Sequence, residues 1–500
     1  MDHYYVTTPI YYVNAAPHMG HAYTTIAADV LARHHRQRGI PTFLLTGTDE
    51  HGEPVADAAA REGVSPQELA DLNAERFRAL PPQLDAHADF FIRTTDDEHK
   101  RRVQDVLQRV YDNGHVYKGM YEGWYCPRCA DFKSETEVED GNRCPIHHIE
   151  LTREQEENWF FRLSTFQEPL EKLYADQPNW VRPQTRYNEA RSFIGLGLQD
   201  VSLSRSKLTW GVTVPWDPDH VFYVWFDALL NYYTALGYAR DGDDLTDTFW
   251  PATLHLIGKD ILKFHCVFWP AMLMAADIEL PRQIFVHGFL LMDGEKMSKS
   301  LGNVLDPFAI IDRFGPDALR FYCLRDVTFG QDGSVSTVGF EDRYEKELAN
   351  ELGNLASRTI AMVHRYREGT VPAGALDPAL RDDFDGLVMN VSERLDAADL
   401  TGALEAIWQR VRRLNRYVEE RKPWELARDE DRASDLDEVL ASLSEGLRAI
   451  AVLLWAYMPQ TIERLLDALG APDTSIAAAP FGAGSLGPVA ELAPLFPKQQ

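Results

Sequence analysis

No run of about twenty uncharged apolar residues occurs in the 500-residue chain, so a membrane-spanning helix is not expected. No charged, apolar and small-residue leader precedes the first strand-like stretch at about His3, and a cytoplasmic protein is expected. Cysteine is scarce. Of five, Cys126, Cys129 and Cys144 cluster while Cys266 and Cys323 stand alone in apolar helical patterns, which is no disulfide framework. Positive charge is short as well: 50 basic against 77 acidic residues give a formal net charge of -27, which favours solubility and works against non-specific nucleic-acid binding. A local basic groove stays open, because the scarce lysines include Lys259, Lys263, Lys296 and Lys299 within a short span. What is plentiful is core-forming material, 45% hydrophobic residues in a length that suggests roughly three domains.

The first hundred or so residues alternate strand and helix. The β-branched and aromatic run HYYVTTPIYYV reads as a strand, a loop with Asn14 follows, and Pro17 stands at the first helical position. The helix HAYTTIAADVLARHHRQRG places Ala22, Ile26, Val30 and Leu31 on one side and closes at Gly39. At the junction lies HMGH, His18 to His21, for which three readings compete. A metal pair falls short of the three or four ligands zinc normally takes. Polar residues at a helix start are the plain alternative. The third is a phosphate site, where free N–H groups and the positive end of the helix dipole meet a nucleotide that Gly20 admits close to the backbone. The next strand, in PTFLLTGTDEHGE, discharges into Thr48, Asp49, Glu50 and His51, at a strand end where open parallel sheets bind ligands. Capping boxes at Ser65 to Glu68 and Thr95 to Glu98 mark two helices.

The alternation lapses between about Val116 and Leu208 and resumes with VFYVWFDALL, TLHLIG and QIFVHGFLL. The expectation is an α/β fold: a doubly wound parallel, Rossmann-like nucleotide-binding sheet (1–115 and 209–290) split by an inserted module (116–208) with a zinc knuckle. A loop and stem-contact region (291–339), an α-helical bundle (340–470) and a surface tail (471–500) follow, the bundle from apolar three-four spacing at Leu404, Ile407, Val411, Leu414 and Val418. Within the insert, Cys126-x-x-Cys129 and Cys144-x-x-His147 have zinc-knuckle spacing, and three thiolates with one imidazole close a tetrahedron, a structural ion with no open position. His148 is a spare ligand, and buried free thiols are the alternative. After IFVHGFLL comes MDGEKMSKSLGN, where Lys296 and Lys299 in a Ser/Gly-flanked loop suit an anionic leaving group in phosphoryl chemistry, against the plainer reading of an exposed charged turn.

HMGH resembles the HIGH signature, and Lys296 to Ser300 the KMSKS signature, of class I aminoacyl-tRNA synthetases. Within that class the chain is similar to the methionyl-tRNA synthetase family along nearly its whole length, through TTPIYYVNAAPHMGHAYTT, TGTDEHG, FYVWFDALLNYY, IGKDILKFHCVFWPAML, NLASR and KPW. The resemblance implies that ATP, with Mg2+, and L-methionine form methionyl-adenylate, and that the methionyl group passes to tRNA(Met). It implies roles for matched residues: His18, Gly20 and His21 at the ATP phosphates, Lys296 and Lys299 at the departing pyrophosphate, Lys259 and Asp260 near the nucleotide, and Arg205 near the active site. Asp49 would take the methionine ammonium, a carboxylate being its natural partner.

Apolar and aromatic walls suited to a thioether are Ile10, Tyr12, Trp225, Ala228, Tyr232, Ile261 and His265, with Phe268 and Trp269, all of which also suit plain core packing. A polar contact to sulfur from Tyr232 or His265 would help reject leucine and isoleucine. Asn354, Arg358 and Trp424 match the family's CAU anticodon readers, two hydrogen-bonding side chains and an indole for unstacked bases, with an N-cap, a surface arginine and a core tryptophan as the alternatives. Met19 replaces the usual Ile or Leu, an apolar swap of similar size. No OB-fold extension follows the bundle, which favours a monomer. Leucine, isoleucine and valine enzymes carry a large editing insertion where only about ninety residues stand here, and a small nucleotidyltransferase shares the H-x-G-H junction without the bundle.

Overall fold

The computed structural model describes residues 2–127, 131–133, 138–146, 148–292, 295–296, 306–484 and 486–498, with the backbone alone for 131, 132, 292, 295 and 296. Its centre is a six-stranded parallel sheet in the order β3-β2-β1-β11-β12-β7. The first three strands are β1 (Tyr4–Tyr12), β2 (Thr42–Asp49) and β3 (Phe90–Arg93). Beyond them lie β4 (Val116–Cys126), β5 (Asp131–Lys133), β6 (Thr152–Phe161), β7 (Val181–Arg182) and β8 (Val201–Ser202). A ribbon of β9 (Ser204–Arg205) and β10 (Val221–Phe222) precedes β11 (Leu254–Gly258) and β12 (Ile284–His287).

The parallel sheet is buried on both faces, as its continuous apolar strands require. In β1, Pro9 has no N–H to give, and the register against β2 shifts between Thr7 and Ile10, a bulge just short of the ligand-binding end. The chain reverses its winding between β1 and β11, and such a switch point opens a crevice at the strand C-termini.

Helix α1 (Met19–Gln37) crosses one face of the sheet and is covered from outside by the bundle, so sixteen of its nineteen residues are buried, polar ones included. Several of the buried polar groups are paired. Asp29 meets Arg33 at 2.8 Å and Arg320 at 2.7 Å, and these two guanidiniums hold its carboxyl below the usual range although burial pushes the other way. His35 stacks on Tyr4 with centroids 3.5 Å apart. Arg320 also donates to the carbonyls of Leu84, Asp85, Ala456 and Tyr457, joining the first half of the sheet domain to the turn after a long bundle helix, Ala433–Leu454.

Four expectations need correction. The helix starts at Met19 with His18 as its N-cap, so Pro17 lies outside it. Ser65 and Glu68 do form a capping box, but the helix Asp97–Asp112 has Asp96 at its N-cap, and the Thr95 hydroxyl is taken by Glu50. The stretch 116–208 is not wholly outside the sheet: β4, β5, β6 and β8 make a separate antiparallel sheet, whereas β7 returns to pair in parallel with β12. The segment 471–498 is strapped to the bundle, with Val489, Leu495 and Phe496 buried and the carbonyls of Ala478 and Pro480 bound by Arg448. Met19 sits in the core 4.0 Å from Cys323 Sγ, consistent with its reading as a packing variant.

Candidate active site

At the switch point lies a cavity of about 330 Å³, walled by the C-terminal ends of four strands: Tyr12 of β1, Asp49 of β2, Gly258 of β11 and His287 of β12. It takes in His18, Gly20, His21, Asp260, Ile10, Trp225, Ala228, Tyr232, Ile261 and His265 of the residues singled out from sequence.

The histidines are set by the helix cap. His18 Nδ1 accepts the Gly20 N–H at 3.1 Å, and His21 Nδ1 accepts the His18 N–H at 3.1 Å, a reciprocal capping box built from two imidazoles. An N–H donor aimed at each Nδ1 leaves the proton of each neutral ring on Nε2. Burial and the neighbouring His18, whose ring centroid is 3.8 Å away, hold His21 well below its ordinary pKa, so it is neutral at pH 7. Two Nε2–H donors thus belong to a helix N-terminus that already favours anions. A Cβ on Gly20 would lie 3.0 Å from His18 Cε1, so glycine here protects the cap as well as opening the backbone.

Asp49 is buried at the end of β2, and its Oδ1 has no hydrogen-bond partner. Burial, then the nearby carboxylates of Asp227 and Glu50, push its carboxyl well above the usual range, and the His51 backbone N–H offsets part of this. An unsatisfied carboxylate in an aromatic cavity calls for a cationic ligand. Glu50 itself is fully engaged by Arg93, Thr48 and Thr95.

The aromatic end is rigid. Trp225 stacks on Phe264 at 3.8 Å and meets Tyr12 edge-on at 6.2 Å. The Tyr232 hydroxyl is 2.7 Å from His265 Nε2, and His265 Nδ1 is 3.0 Å from the Ile261 carbonyl. A carbonyl only accepts, so Nδ1 carries the proton; burial lowers the His265 pKa to about 4, and the neutral ring's Nε2 accepts from Tyr232. Both protons are committed within the protein, and the expected donor to sulfur from Tyr232 or His265 is not available in this arrangement. Phe268 and Trp269 are core: Trp269 is fully buried and donates to His255 at 3.3 Å.

Lys259 pairs with Asp332 at 2.6 Å and lies 4.5 Å over the Phe289 ring. Arg205 forms a buried ion pair with Glu156 at 2.9 Å. Lys296 has its backbone in a short hairpin, Leu290–Met292 with Glu295–Lys296, beside the cavity residue Leu290; Lys299 lies outside the described residues, as do Cys129 and His147. Cys126 and Cys144 are buried together with Leu151 in a small cluster of their own. Among the described residues no group of three metal-binding side chains is present. In the bundle, Asn354 is exposed inside a continuous helical run rather than capping it, Arg358 pairs with Glu419 at 2.8 Å, and Trp424 is half-buried against the bundle core.

Sequence reasoning passed over His287, whose Nε2 takes the Thr24 hydroxyl at 2.8 Å on the cavity wall, and Phe289 beside it. The position of His287 at a strand C-terminus was the available signal. It also passed over the buried cluster of His51, Asp227 and His99.

A crevice at a parallel-sheet switch point with an H-x-G-H helix cap at its mouth is the arrangement of a class I synthetase catalytic domain, and the family model for "tRNA synthetases class I (M)" matches residues 4–156 and 142–360. A methionine-tRNA ligase of Streptomyces coelicolor is 47% identical over 483 residues, 94% of this chain and 90% of that one. That of Caldanaerobacter subterraneus is 44% identical over 471 residues, 93% of this chain and 74% of the relative. The Mycobacterium tuberculosis methionyl-tRNA synthetase in complex with methionyl-adenylate superposes with a TM-score of 0.96 at 42% identity, covering 100% of both chains. This chain belongs to the methionine-tRNA ligase family.

Proposed function

We infer that the chain activates L-methionine with ATP to methionyl-adenylate and transfers the methionyl group to tRNA(Met) for initiation and elongation of translation. The observation that carries the reading is the buried, unpartnered Asp49 Oδ1 in an aromatic cavity that also holds the His18–His21 cap. Asp49 accepts the ammonium. The carboxylate oxygen of methionine attacks the α-phosphorus of ATP, whose bond to pyrophosphate breaks, and a ribose hydroxyl of the tRNA 3′ end then attacks the adenylate carbonyl and releases AMP.

His18 and His21 donate Nε2–H to ATP phosphates whose charge Mg2+ shares, Gly20 admits them to the helix end, and Lys296 and Lys299 stabilise the pyrophosphate as it leaves. Asp260 on the cavity wall takes the ribose hydroxyls, and Lys259 acts from beside it, anchored on Asp332. Ile10, Tyr12, Trp225, Ala228, Tyr232, Ile261 and His265 enclose the side chain, and rejection of leucine rests on shape and sulfur-aromatic contact. Asn354, Arg358 and Trp424 read the anticodon.

Cys126, Cys129, Cys144 and His147 hold one structural zinc. The shared burial of Cys126 and Cys144 supports this, and His148, exposed and 3.1 Å from Glu139, is otherwise engaged. A bound zinc supplies folding energy to the insert and no step of the reaction. No helix among the described residues is long and apolar enough to cross a membrane. A cytoplasmic monomer completes the proposal, checked by light scattering and cell fractionation.

The test is ATP-pyrophosphate exchange with a panel of amino acids. Methionine supports exchange and leucine or cysteine does so at least about 100-fold less well; equal exchange with either would sink the reading.

A further inference from the structure

Beneath Asp49 the chain buries a second ionisable group that the adenylation chemistry does not use. Asp227 is fully buried, with Oδ2 2.6 Å from His51 Nδ1 and Oδ1 2.8 Å from His99 Nε2. His99 Nδ1 lies 2.7 Å from the Thr234 hydroxyl, which donates to it when Nε2 carries the proton. Both carboxylate oxygens are therefore satisfied by imidazole N–H groups. Burial alone would raise the Asp227 carboxyl, but His51 and then His99 hold it down at about 2, so it is an anion.

Three elements meet here. His51 is two residues beyond Asp49, past the end of β2; His99 is in the first turn of the helix Asp97–Asp112; and Asp227 lies in the short helix Val224–Leu229, between the cavity residues Trp225 and Ala228. The backbone N–H of His51 also faces the Asp49 carboxyl and works against the rise in its pKa. The turn is clamped from other sides as well: Gly52, at a φ of 89°, is so close that a Cβ would sit 3.2 Å from Val224 Cβ, and Trp210 Nε1 donates to the Glu50 carbonyl at 2.7 Å.

We propose that Asp227, His51 and His99 are positioning residues for methionine: their buried hydrogen-bonded chain fixes the Asp49 carboxylate against the Trp225 wall, so ammonium and thioether are gripped at one set distance. A carboxylate held by short charged hydrogen bonds between two elements sets their separation more sharply than apolar packing does, because the bond weakens steeply with distance and angle. The inference rests on Asp49 as the ammonium acceptor.

The experiment is a set of full-length variants assayed by exchange, with KM measured separately for methionine and ATP. His51→Leu removes the donor to Asp227 and His51→Asn replaces it, since an asparagine amide stands where Nδ1–H stood. The expected result is that His51→Leu raises KM for methionine about tenfold or more, the effect of losing one buried charged hydrogen bond, and leaves KM for ATP within about twofold. His51→Asn, and likewise His99→Gln, restore methionine KM to within about threefold.

Asp49→Asn alone tests the underlying reading, with a rise in methionine KM of about 100-fold expected. Combined with His51→Leu it must give less than the product of the two single effects, because the second change acts through the first. If Asp49→Asn leaves methionine KM unchanged, the ammonium reading fails and takes this inference with it. If Asp49→Asn raises it but the double variant shows the full product, or His51→Leu moves both substrates equally, the chain is structural and the positioning role is overturned.

Discussion

The cavity of the sheet domain and the bundle place the groups proposed to act in them in opposite surroundings. Around the cavity Asp49, Asp227, His265 and His287 are buried, and all but Asp49 are locked by partners within the protein. In the bundle Asn354 is exposed, Arg358 shares a solvent-facing ion pair, and Trp424 is half-buried, while the core beneath is apolar. Bond-making to a small molecule gains from dry, fixed dipoles whose energy water would otherwise screen. Reading splayed bases needs side chains that water reaches first and a nucleotide then covers. The difference predicts that damage to the first region changes adenylate chemistry and damage to the second changes only the charging of tRNA.

The sharpest break comes from Lys299→Ala. Its expected effect is a fall in adenylate formation of about 100- to 1000-fold with methionine affinity unchanged, measured by single-turnover exchange and equilibrium binding. A fall in methionine affinity instead would move Lys299 to the amino-acid end.

Second is acid stability. The folded pKa of His265, about 4, lies below the ordinary 6.5, so above pH 6.5 neither folded nor unfolded chain binds this proton and the ring has no effect. As pH falls below 6.5 the unfolded chain takes up a proton that the folded one refuses, and stability is lost by about 2 kcal/mol at pH 5 from this ring alone. Urea unfolding at pH 7 and 5 should show a smaller loss in His265→Gln than in the parent, and equal losses would contradict the burial argument.

Third, Trp424→Ala should lower tRNA charging by about ten- to 100-fold through lost base stacking, with exchange within about twofold. Equal losses in both assays would erase the division between the regions. Last, Met19→Ile should cost less than about 1.5 kcal/mol of stability and leave exchange unchanged, since the side chain faces the core while the cap depends on its neighbours.

Much of this was readable in residue order. Strand, H-x-G-H junction and helix were legible because their chemistry is local, and Asp49 because strand ends in parallel sheets bind ligands. Pro17 misled, because a proline at N1 and one before the N-cap look alike until the capping hydrogen bonds are seen. Thr95 misled because a buried glutamate 45 residues away competes for its hydroxyl. The short strand β7 carries two residues and no pattern, and only its pairing with β12 reveals it. His51, His99 and Asp227 lie successively 48 and 128 residues apart in sequence, so no spacing links them. One face of α1 was expected to be buried, and nearly all of it is, because its polar residues find partners in other domains.

Arg320 bears on how such a protein can be altered. Domains joined by polar, wet interfaces can be exchanged like modules. Here a buried guanidinium from the segment before the bundle is satisfied by the helix that His18 caps, by the sheet domain and by the turn that follows a bundle helix. Grafting a different helical bundle onto this sheet takes the Ala456 and Tyr457 carbonyls from that guanidinium or, if Arg320 is replaced as well, takes one of the two guanidiniums from Asp29. The helix capped by His18 and His21 therefore limits which helical bundle the protein can accept.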